Sequence, residues 1–163
     1  MIIGISGKKR AGKDTVADIL YVLHSNSVRY YFAQPLKLEV ARACGVSVEY
    51  INEHKDNFRL ILQGWGTNFR RELYDKNYWI KKMEVAISNL ERYDNILIPD
   101  VRFKNEYVMV KSKGGIMIRV LGISQPDSHV SEIELDNEPF DYVIDNREWN
   151  LPTLIEQVKQ IKI

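Results

Sequence analysis

Five short, nearly continuous apolar runs punctuate the 163 residues, and longer stretches of helical periodicity lie between them. The runs are IIGIS (2–6), VRYYFA (28–33), NILIP (95–99), GIMIRVLG (115–122) and DYVID (141–145). A strand apolar at consecutive positions is buried on both faces, and strands separated by helices pair in parallel. The spacing predicts helices over 14–23, 35–43, 56–73 (interrupted near Gly64 and Gly66), 79–90, 105–113 and 151–161. The expected fold class is therefore α/β, a parallel sheet of about five strands with helices on both faces. Such sheets bind ligands beyond the carboxyl ends of their strands. That rule directs attention to the residues after Ser6, Ala33, Pro99, Gly122 and Asp145.

Charge and cysteine content narrow the class. Lys plus Arg total 23 against 22 Asp plus Glu, a net charge of +1, which argues against a protein built mainly to coat nucleic acid or an acidic membrane. No apolar run approaches the ~20 residues of a membrane span. The opening MIIGIS is followed, not preceded, by Lys8, Lys9 and Arg10, unlike a secretory signal. Cys44 is the one cysteine, so no intrachain disulfide forms, and it is expected to be a buried small hydrophobe. The chain reads as a soluble, single-domain, cytoplasmic protein.

After the first run comes GKKRAGKDT (7–15), with Gly7, four residues, Gly12 and Lys13 at the spacing of a phosphate-binding loop. The glycines let backbone N–H groups turn toward phosphate oxygens, and the following helix aims its positive end at the same place. Lys13 supplies an ammonium for the β- and γ-phosphates. The position after the lysine, usually Ser or Thr, is Asp14, followed by Thr15. Asp14 fits two readings: a hard oxygen ligand for Mg²⁺, or a helix cap. Thr15 suits the metal or a phosphate oxygen.

IPDVRFKNE follows the third run. Asp100 stands at the carboxyl end of a buried strand, where phosphate-loop proteins place a Mg²⁺-directed aspartate. Arg102 comes two residues later and Glu106 falls in the next helix's first turn. The plain alternative is a helix start, with Asp100 as cap and Arg102–Glu106 as a surface ion pair. Trp79 fits core packing or stacking on a nucleobase, and Asn146 stands after the last strand, where an adenine ring could lie. Tyr30, Tyr31 and Phe32 read as strand core and edge, and the acidic run Glu132, Glu134, Asp136, Glu138 reads as a solvated face. His129 has no second ligand at metal spacing.

GKKRAGKDT, LILQGWGTNFRREL (60–73), IPDVRFKNE, HVSE (129–132) and DYVIDN (141–146), in this order, resemble the deoxynucleoside monophosphate kinases found mainly in bacteriophages. The resemblance spans nearly the whole chain. The loop alone is shared with dephospho-CoA and animal-type phosphomevalonate kinases. The resemblance implies a three-layer P-loop kinase fold in which ATP and Mg²⁺ serve phosphorylation of a deoxynucleoside monophosphate to the diphosphate. By position it implies that Gly7, Lys8, Lys9, Arg10, Ala11, Gly12, Lys13, Asp14 and Thr15 hold the nucleotide. Gln63, Gly66, Thr67 and Arg71 match the mononucleotide segment, taken as about 36–92, and Asp100, Arg102 and Glu106 the acceptor and metal motif. Two departures stand out. Asn68 replaces an acidic residue after Gly-Thr, and the lid-like segment 122–139 has no Lys or Arg. A cation for the transferring phosphoryl group is then expected from the loop: Arg10, assisted by Lys9. The expected partner is a small nucleotide, with no nucleic-acid polymer and no membrane; a homodimer stays open. The rival readings are a kinase of another phosphorylated metabolite and a non-kinase nucleotide-binding regulator.

Overall fold

A computed structural model describes residues 1–123 and 133–163. Its five strands are β1 (Ile2–Ser6), β2 (Ser27–Arg29), β3 (Asn95–Ile98), β4 (Ile116–Leu121) and β5 (Tyr142–Asp145). They form one sheet in the order β2-β3-β1-β4-β5, with every pairing parallel. The helices are α1 (Lys13–Leu23), α2 (Ala33–Cys44), α3 (Val48–Glu53), α4 (Lys55–Gln63), a π-helix (Gly64–Tyr74), α5 (Tyr78–Ser88), α6 (Lys104–Ser112) and α7 (Leu151–Lys159). None is long and apolar enough to cross a membrane. The chain divides into a sheet unit, Met1–Tyr31 with Asn89–Ile163, and a helical unit, Phe32–Ser88. The segment 36–92 overlaps the helical unit. Of the lid-like segment, residues 124–132 lie outside the described residues, His129 and Glu132 among them.

The sheet unit is built as its apolar runs require. Strand alternation puts Ile3, Ile5, Leu97, Ile118, Val120 and Ile144 on one face, where Val16, Ala17 and Leu20 of α1 and Leu154 and Val158 of α7 cover them. Gly4, Ile98 and Met117 share the other face by register, and α6 packs there with Met109 and Val110 buried. Each fully buried aliphatic side chain contributes roughly 1.5–3 kcal/mol. This double cover is why β1, β3 and β4 were legible as apolar runs.

Several boundaries differ from the sequence reading. The second strand, expected over 28–33, ends at Arg29. It is a sheet edge paired only with β3; after the Tyr30 N–H bonds the Leu97 carbonyl, the chain leaves the sheet. Phe32 already has helical dihedrals, and Pro35 sits in the first turn of α2, where a missing N–H is harmless. Cys44 is exposed, not buried, because the whole last turn of α2, 42–45, is exposed. The short α3 was not anticipated; Ser47 caps it by accepting the Tyr50 N–H at 3.0 Å, and Ile51 packs against Val40 and Ala41. The expected interruption at Gly64 and Gly66 is instead a change of winding. The chain widens into the π-helix, which closes with the Asp75 N–H on the Arg70 carbonyl, five residues back, at 2.8 Å.

Candidate active site at the carboxyl edge of the sheet

The loop 7–12 joins the carboxyl end of β1 to the first turn of α1. Gly12 is the N-cap of α1 at φ 97°, and a side chain there would collide with the Asn146 amide as well as strain the backbone. A Cβ at Gly7 would strike the Val120 carbonyl of the neighbouring strand. Lys13 is 8% exposed, and its Nζ donates to the carbonyls of Gly7 at 2.7 Å and Lys8 at 2.8 Å. The ammonium is thus curled into its own loop. Thr15 is half-buried, and Lys9 and Arg10 are exposed at the apex, Arg10 in the left-handed region at φ 63°.

Asn146 is 3% exposed and its Nδ2 donates to the Ala11 carbonyl at 3.0 Å. The amide is a strut under the loop, bonded to a residue with no exposed surface. Removing it leaves a buried carbonyl unpaired. Asn146→Ala should lose about 1–3 kcal/mol in urea unfolding, with an unchanged midpoint as the contrary result.

Asp14 lies in the first turn of α1, after the Gly12 cap, so the capping alternative gives way. Its Oδ1 accepts from the Tyr31 hydroxyl at 3.3 Å. Burial, then the negative charge of Asp14, pushes the Tyr31 phenol up to about 12, and the charge of Asp100 adds to it. Asp14 and Asp100, ends of two separate motifs, therefore bear on one hydroxyl. Sequence reasoning read Tyr31 as strand packing and missed this place. No cluster of three metal-ligating side chains exists among the described residues. One or two carboxylates with substrate phosphates and water is the usual holding of Mg²⁺, and this donor set fits that pattern.

Asp100 is not a helix cap either, since Phe103 is the N-cap of α6. The buried Val101 anchors the segment, its N–H bonding the Ile5 carbonyl at 3.3 Å. Glu106 is 1% exposed, and its Oε2 accepts the N–H groups of Arg102 at 2.8 Å and Phe103 at 3.1 Å. The surface-pair alternative thus fails on burial. Glu106 clamps the backbone that carries Arg102, and that oxygen is committed to two N–H donors rather than to a sugar.

In the helical unit, Gln63 ends α4, while Gly66, Thr67 and Arg71 lie on the π-helix. Trp79 is 2% exposed and its indole N–H donates to the Gly66 carbonyl at 2.9 Å. Of the two readings, burial favours core packing over stacking, and the indole N–H holds the Gly-Thr segment. Glu39 was not singled out by sequence. It accepts from Tyr78, from the Trp65 indole at 3.0 Å and from Arg70 at 2.8 Å, and the Arg70 guanidinium lies over the Trp65 and Tyr78 rings. Burial opposes ionisation of Glu39, but bonds from Tyr78, Trp65 and Arg70 win and hold the carboxyl below its ordinary 4.5. A depressed carboxyl contributes stability above its unfolded pKa and loses it as pH falls through the folded value. Glu39→Gln should therefore be less stable than the parent above about pH 5 and converge with it at lower pH, as a pH series of unfolding midpoints would read.

Of the acidic run, Glu134, Asp136 and Glu138 are described, and each has a partner in the chain. The Glu134 carboxylate accepts the Lys104 N–H at 2.7 Å, Glu138 pairs with Lys104 Nζ at 2.7 Å, and Asp136 pairs with both Lys8 and Arg119. Lys8 is thereby tied to a residue 128 positions away.

A family profile described as deoxynucleotide monophosphate kinase matches residues 1–54 and 45–158. An Acanthamoeba polyphaga mimivirus protein assigned that activity is 30% identical, over 90% of this chain and 88% of its own length. The deoxynucleotide monophosphate kinase of Enterobacteria phage T4 is 24% identical over 97% of each chain. The phosphomevalonate kinase of Drosophila melanogaster is 31% identical over 64% of this chain and 57% of its own. With a parallel five-stranded α/β sheet, a loop around Lys13 at the end of β1 and Asp100 and Arg102 at the end of the adjacent β3, the chain belongs to the deoxynucleotide monophosphate kinase family.

Proposed function

We propose that this kinase transfers the γ-phosphoryl group of ATP, with Mg²⁺, to the phosphate of a deoxynucleoside monophosphate. The observation that carries the reading is the pairing of β1 with β3, which sets the Lys13 loop and the Asp100–Arg102 segment on neighbouring strand ends. Lys13 and the loop N–H groups hold the donor phosphates. Asp100, with Asp14 and Thr15, holds the metal, which when bound neutralises charge on the β- and γ-phosphates. Arg102 grips the acceptor phosphate, and Glu106 fixes the backbone on which it rides. Gln63, Thr67 and Arg71 are the mononucleotide-binding residues of the helical unit, and Arg10 with Lys9 supplies loop charge.

The acceptor phosphate is already anionic near neutral pH, so no strong base is required. An acceptor oxygen forms the new bond to the γ-phosphorus as the bond to the β–γ bridging oxygen breaks, and ADP leaves with the electron pair. The work of the protein is positioning and charge stabilisation. Labelled ATP with a panel of acceptors tests the reading. Transfer to deoxynucleoside monophosphates supports it. Transfer only to another phosphorylated metabolite, the reading favoured by the phosphomevalonate kinase similarity, or hydrolysis alone, refutes it.

A further inference from the structure

Asp136 sits between two cations of the sheet unit. Lys8 Nζ lies 2.5 Å from its Oδ2 and Arg119 Nη2 lies 2.5 Å from its Oδ1, so each carboxylate oxygen meets its own cation. Lys8 is the second residue of the phosphate loop. Arg119, on β4, is in register with Ser6, the residue just before that loop, and its Nη1 contacts Ser6 Oγ at 3.4 Å. The guanidinium also lies over the Phe140 ring, and the side chain is 13% exposed. Alternation puts Ser6 and Arg119 on the face they share with Gly4 and Met117, the face that α6 covers. Asp100 and Arg102 lie on the approach to α6. A carboxylate that offers one oxygen to each of two cations stands as two non-bridging phosphate oxygens would.

We propose that Lys8 and Arg119 form a phosphate-oxygen subsite of the transfer centre, with Arg119 its catalytic cation and Asp136 an internal counter-ion that phosphate displaces. The inference rests on the kinase reading above. Asp136 holds both cations beside the loop, and the segment 122–139 contains no Lys or Arg of its own. Arg119 is also held by Ser6, Phe140 and its strand, whereas Lys9 and Arg10 are exposed. Charge that is already oriented needs no reorganisation when the phosphoryl group moves. In the transfer step written above, Arg119 stabilises negative charge on the equatorial oxygens, and no proton or electron is exchanged with it.

The test is calorimetric binding of inorganic tripolyphosphate in Mg²⁺ buffer, with single-turnover transfer beside it. Asp136→Asn should bind tripolyphosphate about tenfold more tightly, as expected if the cations stand clear of Asp136 in about one molecule in ten. Arg119→Met should bind more weakly and slow single-turnover transfer beyond tenfold, with part of the rate restored in Arg119→Lys. A structural clasp moves both the same way: if Asp136→Asn weakens tripolyphosphate binding or leaves it unchanged, the proposal is wrong. Should Arg119→Met fail to fold, the sign of the Asp136→Asn shift still decides. If the parent protein phosphorylates no deoxynucleoside monophosphate while the opposed shifts persist, the substrate reading fails and the subsite stands.

Discussion

Lys13→Ala should lower phosphoryl transfer by at least about 10³-fold while leaving the protein folded. The size follows from what the ammonium does. It is buried at 8% exposure and donates to two loop carbonyls, of Gly7 and Lys8. Those bonds join one part of the loop to another, and water can replace them at a modest stability cost of about 1 kcal/mol each. Lys13 is the first residue of α1, directly after the Gly12 cap, so on the proposed reading its loss removes the cation at the helix's phosphate-facing end. The loss therefore falls on the transition state. Circular dichroism and the thermal midpoint establish folding; steady-state transfer with labelled ATP reads the defect. A folded variant with near-parental turnover would remove the phosphate-loop assignment.

The sheet was legible wherever burial on both faces left one reading open. IIGIS is apolar at nearly every position because α1 packs on one side and α6 on the other, and all four residues of NILI are buried as well. The edge strand was overdrawn because VRYYFA carries strand-favouring residues past the point where β2 has a partner to pair with. The turn from β1 into α1 was legible because its spacing is local: glycines, helix start and lysine lie within nine residues. Contacts between distant residues were not. Glu39 meets Trp65, Arg70 and Tyr78 across 26 to 39 residues, and Asp136 meets Lys8 across 128, with no periodicity to announce either. The acidic run then reads as solvated, since charge alternation looks the same whether its partners are water or two cations. Trp79 and Asn146 stayed open between two readings for a related reason. Each was placed correctly in the chain, but an aromatic or amide near a site is equally suited to ligand and scaffold, and only burial separates the two.

Arg102→Ala should raise the acceptor KM or lower turnover, for a loss of about 10² in kcat/KM, with ATP affinity within about twofold of the parent. The magnitude follows from the chemistry of the grip: charge-assisted hydrogen bonds contribute about 1.5–3 kcal/mol, and about 1.4 kcal/mol is a factor of ten. The selectivity follows from the fold. Arg102 hangs from the segment after β3, fixed by Val101 on the end of β1 and by Glu106 on its own N–H, whereas the proposed donor site is the separate loop after β1. Glu106→Gln sharpens the assignment. An amide oxygen can still accept the two N–H groups, but with less than the strength of a carboxylate, so this variant should show a smaller defect of the same kind, confined to the acceptor. Initial rates with each substrate varied in turn, beside direct ATP titration, read the split between the two sides. If Arg102→Ala abolishes ATP binding while the acceptor still binds, the guanidinium serves the donor phosphates, and the acceptor phosphate must then be held by Arg71 and the helical unit.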